Sequence, residues 1–158
     1  QGLSPKENRD VPPLDHALVA RVAAERPGLS IALNGGIRSL AEARAHLGTF
    51  DGVMIGRAAY HEPAAILGGA DALVTGEARE PVAPEEAVRA MYPYIEAHLA
   101  AGGRLHQVTR HMLGAFAGRP GARRWRRVLS EEATRPGAGL EVVDRALAAV
   151  DHLPRAAE

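Results

Sequence analysis

Leu29-Ser30-Ile31-Ala32-Leu33-Asn34-Gly35-Gly36 and Gly52-Val53-Met54-Ile55-Gly56-Arg57 decide the fold. Each is a short apolar run of strand length that ends in glycine. Between them, Ser39-Leu40-Ala41-Glu42 reads as a capping box, in which serine and glutamate satisfy each other's exposed amides at a helix start. Leu40, Ala43 and Leu47 then recur at helical spacing. Upstream, Asp15 suits the N-cap of a helix over residues 16–26, with Leu18, Val19 and Val22 on one side, and Pro27-Gly28 stops it. The order α, β, α, β with short connections is that of parallel βαβ units. Both strands are continuously apolar, as expected where helices cover one face and a core the other. Two strands cannot close a sheet, so a barrel reading requires further strands upstream of Gln1.

In βα barrels the reactive face lies at the C-terminal ends of the strands, and phosphates often bind after the last two. Glycine lets backbone amides approach a bulky dianion there. Asn34, Gly35 and Gly36 end one run, and Gly56 with Arg57 ends the next, so the two turns are expected side by side. Arg57 adds a guanidinium suited to bidentate contact with phosphate oxygens. Asn34 suits either the turn itself or a polar ring edge. Asn-Gly is also a hairpin turn, but the capping box directly after it favours a strand-to-helix connection.

After Leu67 the pattern changes. Residues 68–82 read as a poorly patterned connector, and Pro84 opens a long helix with Val88, Met91, Ile95 and Leu99 buried and a kink at Pro93. A second helix carries Leu105, Val108, Met112 and Phe116, a third spans Ala122 to Ser130, and a fourth uses Leu140, Val143, Leu147 and Val150. These stripes read as a small helical bundle. The fold class is therefore α/β: C-terminal βα units of a TIM barrel over 1–67, a connector at 68–83, and an all-α helical bundle domain over 84–153.

The formal net charge is zero, yet the charges are segregated. Arg104, Arg110, Arg119, Arg123, Arg124, Arg126, Arg127 and Arg135 face only Glu131 and Glu132 in their stretch. Such a segment points to a local anionic partner. At about 100° per residue, Arg123 shares a face with Arg126 and Arg127, while Trp125 points elsewhere, into the bundle. This suits nucleic-acid backbone recognition, and equally a solvated helix face; Arg104, Arg110 and Arg119 tilt the balance to an anionic polymer. His61, Glu62, His106 and His111 read as structural or surface residues, and no metal triad is expected. The chain has no cysteine, which excludes a disulfide or a cysteine acid within it. No apolar run approaches the roughly 18 residues of a membrane span. A cytoplasmic monomer without metal is expected.

Taken together, Gly2-Leu3-Ser4-Pro5-Lys6-Glu7-Asn8-Arg9, Pro12-Pro13-Leu14, Asn34-Gly35-Gly36-Ile37, Asp51 to Tyr60, Arg110-His111-Met112-Leu113 and Trp125-Arg126-Arg127 closely resemble the tRNA-dihydrouridine synthases, in their A-type branch. The resemblance implies an FMN-dependent enzyme, reduced by NADPH, that passes hydride to C6 of a flipped D-loop uracil while a cysteine protonates C5. It further implies that Asn34, Gly35 and Gly36 contact the flavin and that Gly56 and Arg57 hold its phosphate. Lys6 and Arg9 correspond to a tRNA-touching loop, with Arg123 and Arg126 as counterparts in the helical domain. The family's cysteine, and its flavin-contacting lysine and histidine, have no place in this chain, so it holds no catalytic residue and is expected to be an inactive C-terminal piece. Two rival readings stand: a non-catalytic tRNA- or RNA-binding module, and another phosphate-binding βα-barrel enzyme.

Overall fold

Asp15 sets the first helix. Its carboxylate accepts a 2.8 Å hydrogen bond from the Leu18 amide, because a short acidic side chain reaches back to an otherwise unpaired helical donor. The computed structural model describes Glu7 and residues 13–151. Helix α1 spans His16–Glu25, followed by β1 (Ala32–Asn34), α2 (Leu40–His46) and β2 (Gly52–Met54). The strands pair in parallel, with Ala32 opposite Gly52, Leu33 opposite Val53 and Asn34 opposite Met54. The expected βαβ connection is therefore present. Ile31 and Asp51 prolong it: the Asp51 amide donates to the Ile31 carbonyl at 3.0 Å, and Asp51 Oδ2 accepts from the Ile31 amide at 2.8 Å.

Three local expectations are corrected. The first strand begins at Ala32 rather than Leu29, because the Leu29 amide closes a turn onto the Arg26 carbonyl at 3.0 Å. In the capping box, Ser39 Oγ accepts from the Glu42 amide at 3.1 Å, but Glu42 Oε2 accepts from Arg38 at 2.7 Å rather than from Ser39. The apolar side of α1 has no buried residue, and Leu18 and Val22 stay exposed. Leu33, Ile37, Ala43 and Phe50 are the buried apolar side chains of this part, while Ala32, Asn34 and Met54 are exposed. One small layer forms, not a sheet covered on both faces.

The chain divides into two compact units, residues 1–56 and 57–158. The second comprises α3 (Arg57–His61), α4 (Pro63–Leu67), α5 (Ala70–Thr75), α6 (Pro84–Ala90), α7 (Tyr92–Ala100), α8 (Leu105–Thr109), α9 (Ala122–Glu132) and α10 (Leu140–Asp151). Helix α5 lies in the stretch expected to be unpatterned, and Gly76 ends it in the left-handed conformation, φ 73°. The long helix expected from Pro84 is broken at Met91. Pro93 cannot donate a backbone bond, so α7 starts afresh with proline in its first turn.

The second expected helix is also shorter than its apolar stripe. Regular helix ends at Thr109, and turns continue, with Ala115 bonded to Met112 and Arg119 to Phe116 through their backbones at 3.0 Å each. Leu105, Val108, Met112 and Phe116 are nevertheless all buried. Tertiary contacts take the segment off the helical path. Trp125 Nε1 occupies the Met112 carbonyl at 3.0 Å. A Cβ on Gly114 would lie only 2.4 Å from the His61 carbonyl oxygen. Around Trp125 and Phe116, whose rings meet edge-on at 4.9 Å, the core gathers Val88, Ile95, Leu129, Val143 and Leu147. Arg145 clamps α10 to α9 by donating from Nε and Nη2 to Glu132 Oε2 at 3.0 and 2.7 Å. Tyr92 joins α7 to α10 through a 2.6 Å bond to Asp144 Oδ1.

Candidate functional site

Parallel pairing sends both strands out of the sheet in the same direction, so the turn after Asn34 and the residues after Met54 leave from neighbouring ends. Gly35 (φ 120°) and Gly36 (φ 74°) occupy backbone that side chains rarely adopt. Glycine is thus demanded by the turn itself. A Cβ at either position would meet Leu14 at 2.8 Å, so the space glycine leaves here is filled from within the chain. His16 fixes the turn from the same side. Its Nε2 lies 2.9 Å from the Gly35 carbonyl oxygen, which only accepts, so the imidazole donates. The Asp15 cap that starts α1 places this ring.

Gly56 differs. Its φ is not in the left-handed region, and a Cβ there would meet only Met54 Sδ and Cε, at 3.7 and 4.0 Å. Neither backbone nor packing requires glycine, and the approach to its backbone is open, the condition a phosphate dianion needs. Arg57, the next residue, is exposed and has no carboxylate partner among the described residues.

The arginine helix is arranged by its core side. Trp125 is fully buried and Leu129 nearly so, so the helical period turns Arg123, Arg124, Arg126 and Arg127 outward, all exposed. Among the described residues none of the four has an ion pair. Arg123, Arg124 and Arg126 line one concavity of about 360 Å³ with Arg119, Gly121 and Ala122. Helical spacing grouped Arg123 with Arg126 and Arg127, and the family resemblance singled out Arg123 and Arg126; neither gave a reason to add Arg124, which the rim of this concavity supplies. Arg119 is different from its neighbours. Its guanidinium grips Glu85 through both nitrogens at 3.0 and 2.9 Å and lies 5.6 Å over the Phe116 ring. It is a neutralised strut, so it does not add to the cationic face as expected. Lys6 and Arg9 lie outside the described residues. Among the described residues no group of acidic and histidine side chains is placed to hold a metal ion, and no helix is long and apolar enough to cross a membrane.

Residues 2–151 match the Dihydrouridine synthase (Dus) family. The chain belongs to the dihydrouridine synthases. A tRNA-dihydrouridine(20/20a) synthase of Shewanella oneidensis is 52% identical over 150 residues, covering 95% of this chain and 44% of that protein. Proteins of the same description from Escherichia coli K12 and Yersinia pestis are 52% identical over 146 and 153 residues, covering 92% and 94% of this chain but 42% and 43% of theirs. This dihydrouridine synthase chain therefore spans less than half the length of the curated relatives it matches.

Proposed function

We propose that the chain supplies the C-terminal βα units of an FMN-dependent barrel and a helical tRNA-binding domain, in a protein that reduces D-loop uridine in tRNA to dihydrouridine. The observation that carries this is the outward row Arg123, Arg124, Arg126 and Arg127, held around buried Trp125 with no carboxylate partner among the described residues, in a chain half identical to tRNA-dihydrouridine synthases. Guanidinium groups so displayed neutralise backbone phosphates and stack on bases. Residues 1–67 are assigned to the barrel, 68–83 to the connector and 84–153 to tRNA binding, with Lys6 and Arg9 as a second tRNA contact. The setting is a cytoplasmic monomer.

Gly56 and Arg57 fit a phosphate group, the first by its open approach and the second by a charge that has no carboxylate partner among the described residues. Asn34, Gly35 and Gly36 would meet the flavin beside it through the groups that Leu14 and the His16 bond to the Gly35 carbonyl leave uncovered. Held by these residues, FMN reduced by NADPH would supply hydride chemistry for the uracil C5–C6 bond. This chain binds and orients; it carries no cysteine to deliver a proton. Reduction belongs to the whole protein. The outward arginine row taken without the barrel also fits, as second reading, a non-catalytic RNA-binding module, while family membership favours the synthase over another phosphate-binding barrel enzyme.

Salt-titrated binding of a tRNA transcript tests the RNA half, and flavin absorbance titration tests the FMN half. Salt-dependent tRNA binding with no flavin uptake would leave the binding-module reading. No tRNA binding at any salt would remove both.

A further inference from the structure

We propose that Tyr60, His111 and Arg110 form a further anion seat, in which the Tyr60 hydroxyl donates to an RNA backbone phosphate. This rests on the RNA reading above and adds a site to it. Tyr60 stands on α3 and is 54% exposed. Its Oη lies 2.9 Å from His111 Nδ1, and Arg110 Nε lies 3.0 Å from His111 Nε2. A guanidinium only donates, so Nε2 is the unprotonated nitrogen of a neutral imidazole and the proton sits on Nδ1. Nδ1–H then donates to Tyr60 Oη. The phenol keeps its own proton, and no group among the described residues accepts it.

The three residues make a one-way relay from cation to imidazole to phenol, an arrangement in which each bond polarises the next. Its end is a strengthened neutral donor facing solvent. The relay is also held in place. The Tyr60 ring sits edge-on between His61 and His111, with centroids 5.6 and 6.0 Å away. Helix α3 packs so closely on the turn after Met112 that only glycine fits at 114. Arg110 has no carboxylate partner among the described residues, so its remaining N–H groups accompany the phenol. A neutral O–H beside an uncompensated guanidinium suits an anionic oxygen. The arginines of α9 in the same unit, without ion pairs among the described residues, make a phosphodiester the matching source. Tyr60 and His111 are fifty-one positions apart, and no spacing rule connects them.

The test is fluorescence anisotropy of a labelled tRNA transcript with the full chain, across a salt series. Tyr60→Phe keeps the ring and is expected to weaken binding about three- to tenfold, the range of one lost hydrogen bond, with the salt slope unchanged. Arg110→Gln is expected to weaken binding and to lower the slope by about 0.7–0.9, one phosphate contact. Unaltered circular-dichroism melts would place both effects in binding. Wild-type binding with Tyr60→Phe indistinguishable from it overturns this site alone; absence of wild-type binding overturns the RNA reading and the site together. Inorganic phosphate titrated at millimolar level should leave the His111 ring resonances unmoved. Saturating shifts would assign the seat to a free anion and overturn the RNA assignment.

Discussion

The indole nitrogen of Trp125 on α9 donates to the carbonyl of Met112, 3.0 Å away and fully within the core. This bond joins the arginine helix to the turn segment that replaces regular helix after Thr109. Trp125→Phe retains most of the apolar contact with Phe116 but removes one of the two hydrogen bonds to the Met112 carbonyl, leaving the one from the Ala115 amide. The expected cost is about 1 kcal/mol, read as a lower denaturation midpoint by circular dichroism, since Trp125 is the sole tryptophan and its fluorescence is lost.

The arginines around that helix should separate into two classes. Arg123→Ala, Arg124→Ala and Arg126→Ala are each expected to flatten the salt dependence of tRNA binding by about 0.7–0.9, with little change in melting temperature. Arg119→Ala should do the reverse, because Glu85 and the Phe116 ring occupy its guanidinium. It should lower stability and leave the slope nearly unchanged. Equal slopes for all four variants would remove this division.

The glycines of the proposed phosphate corner should also differ. Gly35→Ala and Gly36→Ala force an ordinary residue into positive φ and are expected to destabilise by about 1–3 kcal/mol. Gly56→Ala meets only the flexible end of Met54, so its stability should stay within about 0.5 kcal/mol while any measured FMN affinity falls. A large stability loss at Gly56 would contradict the open approach described here.

Tyr92 links proton binding to folding. Burial first, and then its hydrogen bond to Asp144, raise its pKa from 10.0 to about 12. The folded state holds the proton more tightly, so this contribution is complete below pH 10 and is lost as pH rises toward 12. Alkaline unfolding curves should show wild-type stability falling across that window, with Tyr92→Phe showing a shallower fall. Because the hydrogen bond is accessible to solvent, its loss in Tyr92→Phe should cost only about 1 kcal/mol near neutral pH.

Local signals were legible where a short stretch settles its own geometry. Asp15 caps α1, Ser39 caps α2, Pro93 interrupts α6 and α7, and Trp125 turns inward while its arginine neighbours turn outward. Leu105, Val108, Met112 and Phe116 misled because a 3.6-residue stripe can be buried by consecutive turns as well as by helix. The strand expected from Leu29 failed for a similar reason, since apolar composition does not mark where pairing begins.

The sequence by itself determined the alternation of helix and strand, the paired glycine ends and the basic helix, all products of neighbouring residues and fixed periods. Only the tertiary structure decided which of those features are filled or neutralised and which stay open. It filled the space beside Gly35 and Gly36 with Leu14, left Gly56 open, neutralised Arg119 with Glu85, and joined Tyr60 to His111. The three pairings among these depend on partners about 20 to 50 positions distant, chosen by packing and electrostatic satisfaction, which no local pattern encodes.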